Sequence, residues 1–170
     1  VAQEMKALKA ALDEPALTIP WSELLTAARW HDVGKAHEVF QSMLVEPLPE
    51  NDLRRSGGPW AKSDHKKGRP NRKHFRHELA SALVLLQHKE SDLAAYLAAA
   101  HHGKVRLSIR SLPDEKMPAD GKRFARGIWE GDPLPSVDLG DGVLTQALVL
   151  NLSFMEMGEG AHGPSWLERM

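Results

Sequence analysis

The chain has 170 residues, with 22 basic against 23 acidic side chains, nine histidines, no cysteine and 42% apolar residues. No apolar stretch approaches the ~20 residues of a membrane span, and residues 1–30 lack the basic start and apolar block of a signal peptide. Without thiols there can be no disulfide framework, thiolate zinc site or iron–sulfur cluster, so one cytoplasmic domain over 1–170 is expected, and any metal must be held by imidazole and carboxylate.

In chain order, Met5, Leu8 and Leu12 give a weakly amphipathic helix over 2–13 that stops at Pro15. Pro20 and Trp21 open a stronger one that runs through Trp30 and ends by Gly34. A third fits from about Ala36 to Val45, closed by Pro47 and Pro49. Residues 50–72 carry Gly, Pro, Ser and charge without periodicity and read as a basic loop insertion. Helix resumes near Lys73, and Leu79–Leu86 is apolar nearly all round, which predicts a buried helix. Ser91 and Asp92 cap Leu93–Ala100, and Gly103 suits a left-handed helix end.

Beyond Gly103 the period changes. Val105, Leu107 and Ile109 alternate with Arg106, Ser108 and Arg110, which predicts a strand with one basic face. Further short strands are expected at Arg126–Trp129 and Leu144–Phe154, and a helical start at Ser165–Met170. The expected fold is mainly α, with a small hairpin-like β patch in an insertion over 104–155.

The charge is uneven. Nine basic residues and one acid lie between Arg54 and His77, so a segment near +8 sits on a body near −9. Such asymmetry points to a polyanion partner, although a basic run by itself is more often a solvated loop.

Histidines and an aspartate recur at helix ends: His31-Asp32 before Gly34-Lys35, His77 at the start of the buried helix, and His101-His102 before Gly103. Taken singly, each has an ordinary explanation as a cap, a dipole contact or an interface histidine. Together they supply the imidazole–carboxylate set of a divalent transition metal. Five other histidines (His37, His65, His74, His88 and His162) match no such pattern and read as surface or loop residues, with His74 on the helical face of His77.

The stretches RWHDVGKAHEVFQSML, HFRHELASALVLL and AAAHHGKVRLSIRSLPDE, with the tail FARGIWEGDPLP, carry a family resemblance. The order resembles the HD-domain metal-dependent phosphohydrolases, and most closely the HD nuclease of type I CRISPR–Cas interference. That resemblance implies a helical HD fold, one or two divalent ions, and endonuclease and exonuclease attack on single-stranded DNA in antiviral defence. It also implies a helicase module, fused or separate, and the CRISPR effector complex as partners. By position, His31 would ligate one ion, Asp32 would bridge, and His77, His101 and His102 would complete the second. Lys35 would neutralise a non-bridging phosphate oxygen.

The family pattern has a further histidine on the first helix and a closing aspartate on a late one. No histidine precedes His31, and the acids after His102 fall in turn-like sequence, with Asp138 the one candidate substitute. Those two ligands are expected outside this piece of a longer chain. Imidazole-rich ligation favours Mn, Fe, Co or Ni over Mg, and activity should fail below about pH 6.5, where free imidazole protonates. Lys66, Lys67, Arg69, Arg72, Lys73, Arg76, Arg106 and Arg110 are the expected strand contacts, with Trp60 and Phe75 available for base stacking. The alternatives are a phosphohydrolase acting on nucleotides or cyclic dinucleotides, and a DNA-binding scaffold with a degenerate metal site.

Overall fold

In the computed structural model, residues 1–12, 18–66, 68–103, 110–156, 158–160 and 163–169 are described. The strand expected over 105–109, with Arg106, lies outside them, as do Lys67 and His162.

The architecture grows from one buried rod. Helix α4 (His77–Gln87) buries every residue from Glu78 to Leu86, because its apolar side chains leave no face suited to water. Helix α5 (Asp92–Ala100) starts where Ser91 Oγ accepts from the Ala94 amide at 3.1 Å. Its Ala94, Ala95 and Ala98 are fully buried, and these short side chains let it lie close to α4 and to α2 (Trp21–Trp30). Helix α1 (Ala2–Ala11) buries nothing and rests on α2. A 3-10 turn at Val33–Ala36 packs on α4 and leads into α3 (Glu38–Val45). Among the described residues no helix is long and apolar enough to cross a membrane.

The β component consists of two-residue antiparallel pairs. Strands β1 (Phe124–Ala125) and β2 (Ile128–Trp129) form a hairpin; β3 (Pro133–Leu134) pairs with β4 (Leu148–Val149), and β5 (Glu159–Gly160) with β6 (Gly163–Pro164). Ile128, Leu134, Leu150 and Trp166, the last from the short α6 (Trp166–Arg169), join the core around α4. The short strand expected within Leu144–Phe154 is β4, which is confined to two residues, and Leu152–Met155 is a 3-10 turn. Arg126 sits in the hairpin turn rather than in a strand, since it and Gly127 both take positive φ, the geometry two-residue hairpins prefer. A Cβ on Gly127 would lie 2.6 Å from Phe75 Cα, and Arg126 O accepts from the Arg76 amide at 3.1 Å. The hairpin therefore braces the chain just before His77.

Three further sequence expectations need correction. His37 is fully buried rather than a surface residue, and Arg72 is buried rather than available to DNA. His74 precedes α4 at φ +62 and meets Asp114 at 2.9 Å, so it shares no helical face with His77. The cause in the first two cases is Asp132. Its Oδ2 accepts from Arg72 Nη1 and from the Trp129 amide at 2.7 Å, and faces His37 Nε2 at 3.2 Å. His37 Nδ1 accepts from the Val39 amide at 3.2 Å and so caps α3, which puts the ring proton on the nitrogen facing Asp132. The Arg72 guanidinium also lies 3.8 Å from the Trp129 ring centroid and 3.1 Å from Glu38 Oε1.

Burial alone would raise the Asp132 carboxyl; the facing His37 imidazole and the Arg72 guanidinium outweigh it and hold the group below the usual range. A depressed carboxylate stabilises the fold above its unfolded value of about 3.9 and loses that contribution as pH falls through its folded value. Asp132→Asn is therefore expected to lower stability at pH 7 by about 3 kcal/mol, because it leaves the buried Arg72 guanidinium with only the exposed Glu38 carboxylate to balance it among the described residues. Urea melts at descending pH should show the gap between parent and variant closing below about pH 4.

Candidate metal centre

Three helix ends supply the side chains. His31 is the residue after α2, and Asp32 follows it as the chain turns toward α4. The approach is close. A Cβ on Gly34 would lie 2.1 Å from His77 O and 2.8 Å from both Ala80 Cβ and the Ser81 nitrogen. With hydrogen there instead, the Gly34 amide donates to Ser81 Oγ at 2.9 Å. Two residues earlier, Asp32 is thereby set against His77, the first residue of α4. His101 and His102 follow the last turn of α5.

Asp32 is the hub. Its Oδ1 lies 3.3 Å from His77 Nε2 and 3.7 Å from His101 Nε2; its Oδ2 lies 3.2 Å from His31 Nε2 and accepts from Lys35 Nζ at 2.8 Å. The rings of His77 and His102 are centred 5.0 Å apart, those of His101 and His102 4.0 Å, and those of His31 and His101 5.0 Å. Two sets of donor atoms result, each within 4.8 Å: His77 with His101 and His102, and His31 with Asp32 and His101. His101 belongs to both.

Backbone carbonyls at the helix ends aim the rings. His31 Nδ1 donates to Ala28 O at 3.0 Å and His101 Nδ1 to Ala98 O at 2.6 Å, which spends the Nδ1 proton and leaves Nε2 facing the centre. Burial would raise the Asp32 carboxyl, but the facing imidazoles of His31 and His77 and the Lys35 ammonium reverse that and keep it far below the ordinary carboxylate range. For His101 burial itself lowers the pKa, and the neighbouring imidazoles of His102, His31 and His77 add to it, against the Ala98 hydrogen bond. Both directions favour the ligating forms, an ionised carboxylate and a neutral imidazole.

Asp32 Oδ1, His77 Nε2 and His101 Nε2 are buried and make no hydrogen bond. Orphaned polar atoms are rare in folded proteins. Three of them converging from three helix ends fit a cation, and an imidazole-rich set with one carboxylate suits a divalent transition metal.

Of the expected strand contacts, Lys66, Arg69 and Arg110 are exposed and form no ion pair among the described residues. Lys73 is exposed but lies 3.5 Å from Asp114, and Arg76 is drawn onto Glu78 at 2.5 Å. Phe75 is half-buried, its ring 4.8 Å from that of His37. Asp138 does not substitute as a ligand: its Oδ1 accepts from the Gly140 amide at 2.8 Å in a turn. The role of Gln41, which ties Lys35 to the 57–60 segment, carried no signal in the sequence. A lone glutamine in a helix reads as surface, and its partner lies 19 residues away.

Helix-end histidines gathered on the aspartate of a His-Asp pair, in a mainly helical domain, define a metal-dependent hydrolase of the HD class. The family model described as the HD domain of Cas3 matches residues 5–134. That is well over half of the chain, which belongs to the Cas3 HD-domain family and so has a CRISPR-associated nuclease role. Searches of curated proteins and of solved structures return no match.

Proposed function

We propose that the chain hydrolyses phosphodiester bonds of single-stranded DNA at this centre. Asp32, His77, His101 and His102 hold a divalent ion, and His31 serves the side that Asp32 shares with His101. The observation that carries the reading is the trio of buried, unbonded donor atoms on Asp32, His77 and His101. The ion, when bound, supplies Lewis acidity for the phosphoryl oxygen and lowers the pKa of water. Mn, Fe, Co or Ni suits the imidazoles better than Mg, which prefers an all-oxygen octahedron.

The chain's own groups do the rest. Lys35, held at 2.8 Å by Asp32, brings a positive charge to the edge of the centre, where it offsets charge building on a non-bridging oxygen. Asp32 keeps that ammonium in place. Lys66, Arg69 and Arg110 give sequence-independent phosphate contacts, and Lys73 and Arg76 join them if a phosphate displaces their carboxylate partners. In this reading a helicase module, fused or separate, delivers the strand alongside the CRISPR effector complex.

The test compares one single-stranded oligonucleotide, its duplex, mononucleotides and cyclic dinucleotides, each with Mn, Co, Ni or Mg. Cleavage of the single strand, stronger with the transition metals and weakening steeply with salt, is expected. Turnover confined to mononucleotides or cyclic dinucleotides overturns the reading.

A further inference from the structure

A pocket of about 360 Å³ opens beside the end of α3, between Leu44, Leu48 and Trp60 on its apolar walls and Arg54, Lys62, Ser63, Asp64 and His65 on its polar ones. Its size lies at the low end of the range for small-ligand sites. The frame is already hydrogen-bonded. Arg54 is held by Asp52 and by Asp64, each at 2.6 Å, and His65 spans Asp64 Oδ1 at 3.0 Å and Leu44 O at 2.9 Å. The Trp60 indole is fixed as well. Its Nε1 donates to Arg54 O at 3.0 Å, and one side is backed by Gly57 and Gly58, where a Cβ would come within 2.9 Å and 3.2 Å of the ring. Even so, Trp60 remains 37% exposed.

The pocket is wired to the metal centre. Gln41 Nε2 donates to Lys35 O at 2.5 Å and to Trp60 O at 2.8 Å, and its Oε1 accepts from the Trp60 amide at 2.8 Å. The same helix places Phe40 5.7 Å from the His77 ring. A rigid aromatic surface and apolar walls, with Arg54 paired to Asp52 and Asp64 and exposed Lys62 making no ion pair among the described residues, complement a flat ring with a phosphate reaching Lys62.

We propose that this pocket seats one unpaired nucleobase on Trp60 and so sets the register of the strand against the centre. The inference rests on the single-stranded DNA reading. Stacking on an indole tolerates any base, because every base has a π face. Phosphates flanking the seated base meet Lys62 and exposed Lys66. The Gln41 bridge then fixes the distance between the seated base and Lys35.

Fluorescence anisotropy with the full chain tests this, using a labelled oligothymidylate and a strand of the same length carrying abasic sites throughout. Both present the same phosphates. The parent should bind the base-bearing strand about tenfold more tightly. Trp60→Leu should bring the two affinities together, and Trp60→Phe should keep most of the preference. Metal content should be unchanged in both variants. Equal binding of the two strands by the parent overturns the pocket and leaves the nuclease reading intact, and this comparison needs no variant to fold. A preference that survives in Trp60→Leu also overturns it. Failure to bind or cleave either strand overturns the substrate reading, and the pocket with it.

Discussion

Asp32→Ala is expected to empty the centre and abolish cleavage. The carboxylate lies within reach of His31, His77, His101 and Lys35 together, so its removal takes both a ligand and the negative charge these four groups share, leaving among the described residues only Glu78 Oε2 at 3.5 Å from His77 Nδ1. Lewis-acid stabilisation is worth several kcal/mol, which corresponds to about a thousandfold or more in rate. Elemental analysis after dialysis against Mn or Ni should show the ion retained by the parent and lost by the variant. Asp32→Asn separates charge from shape: it keeps the volume and one acceptor, yet should fail nearly as badly, because a neutral amide cannot balance a divalent cation. The fold itself should survive, since the core around α4 does not include this side chain. An Asp32→Ala protein that keeps its ion and cleaves single-stranded DNA in Mn would sink the assignment.

What could be read from the sequence was what is local. Leu79–Leu86 announces a buried helix because an apolar surface on every side leaves nothing for solvent, and Ser91 announces a cap because its oxygen needs only the amide three residues on. The helix-end histidines were visible for the same reason: each sits beside its own helix signal. The closures between distant segments were not visible. Arg72 is one arginine in a basic run, indistinguishable by composition from Arg69, until Asp132, 60 residues later, draws it into the core. That ion pair removes one expected strand contact and buries His37 in the same step. The strand expected within 144–154 is confined to two residues for a related reason. Its alternating apolar residues are accounted for by packing from coil and a 3-10 turn, with Leu150 and Leu152 reaching the core around α4 without a continuous ladder.

Gly34→Ala tests whether the site depends on one point of contact between backbones. The added methyl would stand 2.1 Å from His77 O, with Ala80 Cβ and the Ser81 nitrogen at 2.8 Å. Two of those three atoms belong to the backbone of a helix whose residues from Glu78 to Leu86 are all buried, so the helix cannot yield. The 3-10 turn must back away instead, breaking the hydrogen bond from the Gly34 amide to Ser81 Oγ and carrying Asp32 and Lys35 away from His77. Overpacking of this kind costs about 1–3 kcal/mol, the broken hydrogen bond roughly another 1 kcal/mol, and a displacement of about 1 Å at a catalytic group about a hundredfold in rate. Denaturant melts, metal content and cleavage should therefore all fall together in Gly34→Ala. Ser81→Ala removes the hydrogen bond without the clash, so it should lose only about 1 kcal/mol and keep its ion. If Gly34→Ala instead matches the parent in stability and metal content, the turn is not held by its contact with α4. The spacing between Asp32 and Gly34 would then need another explanation.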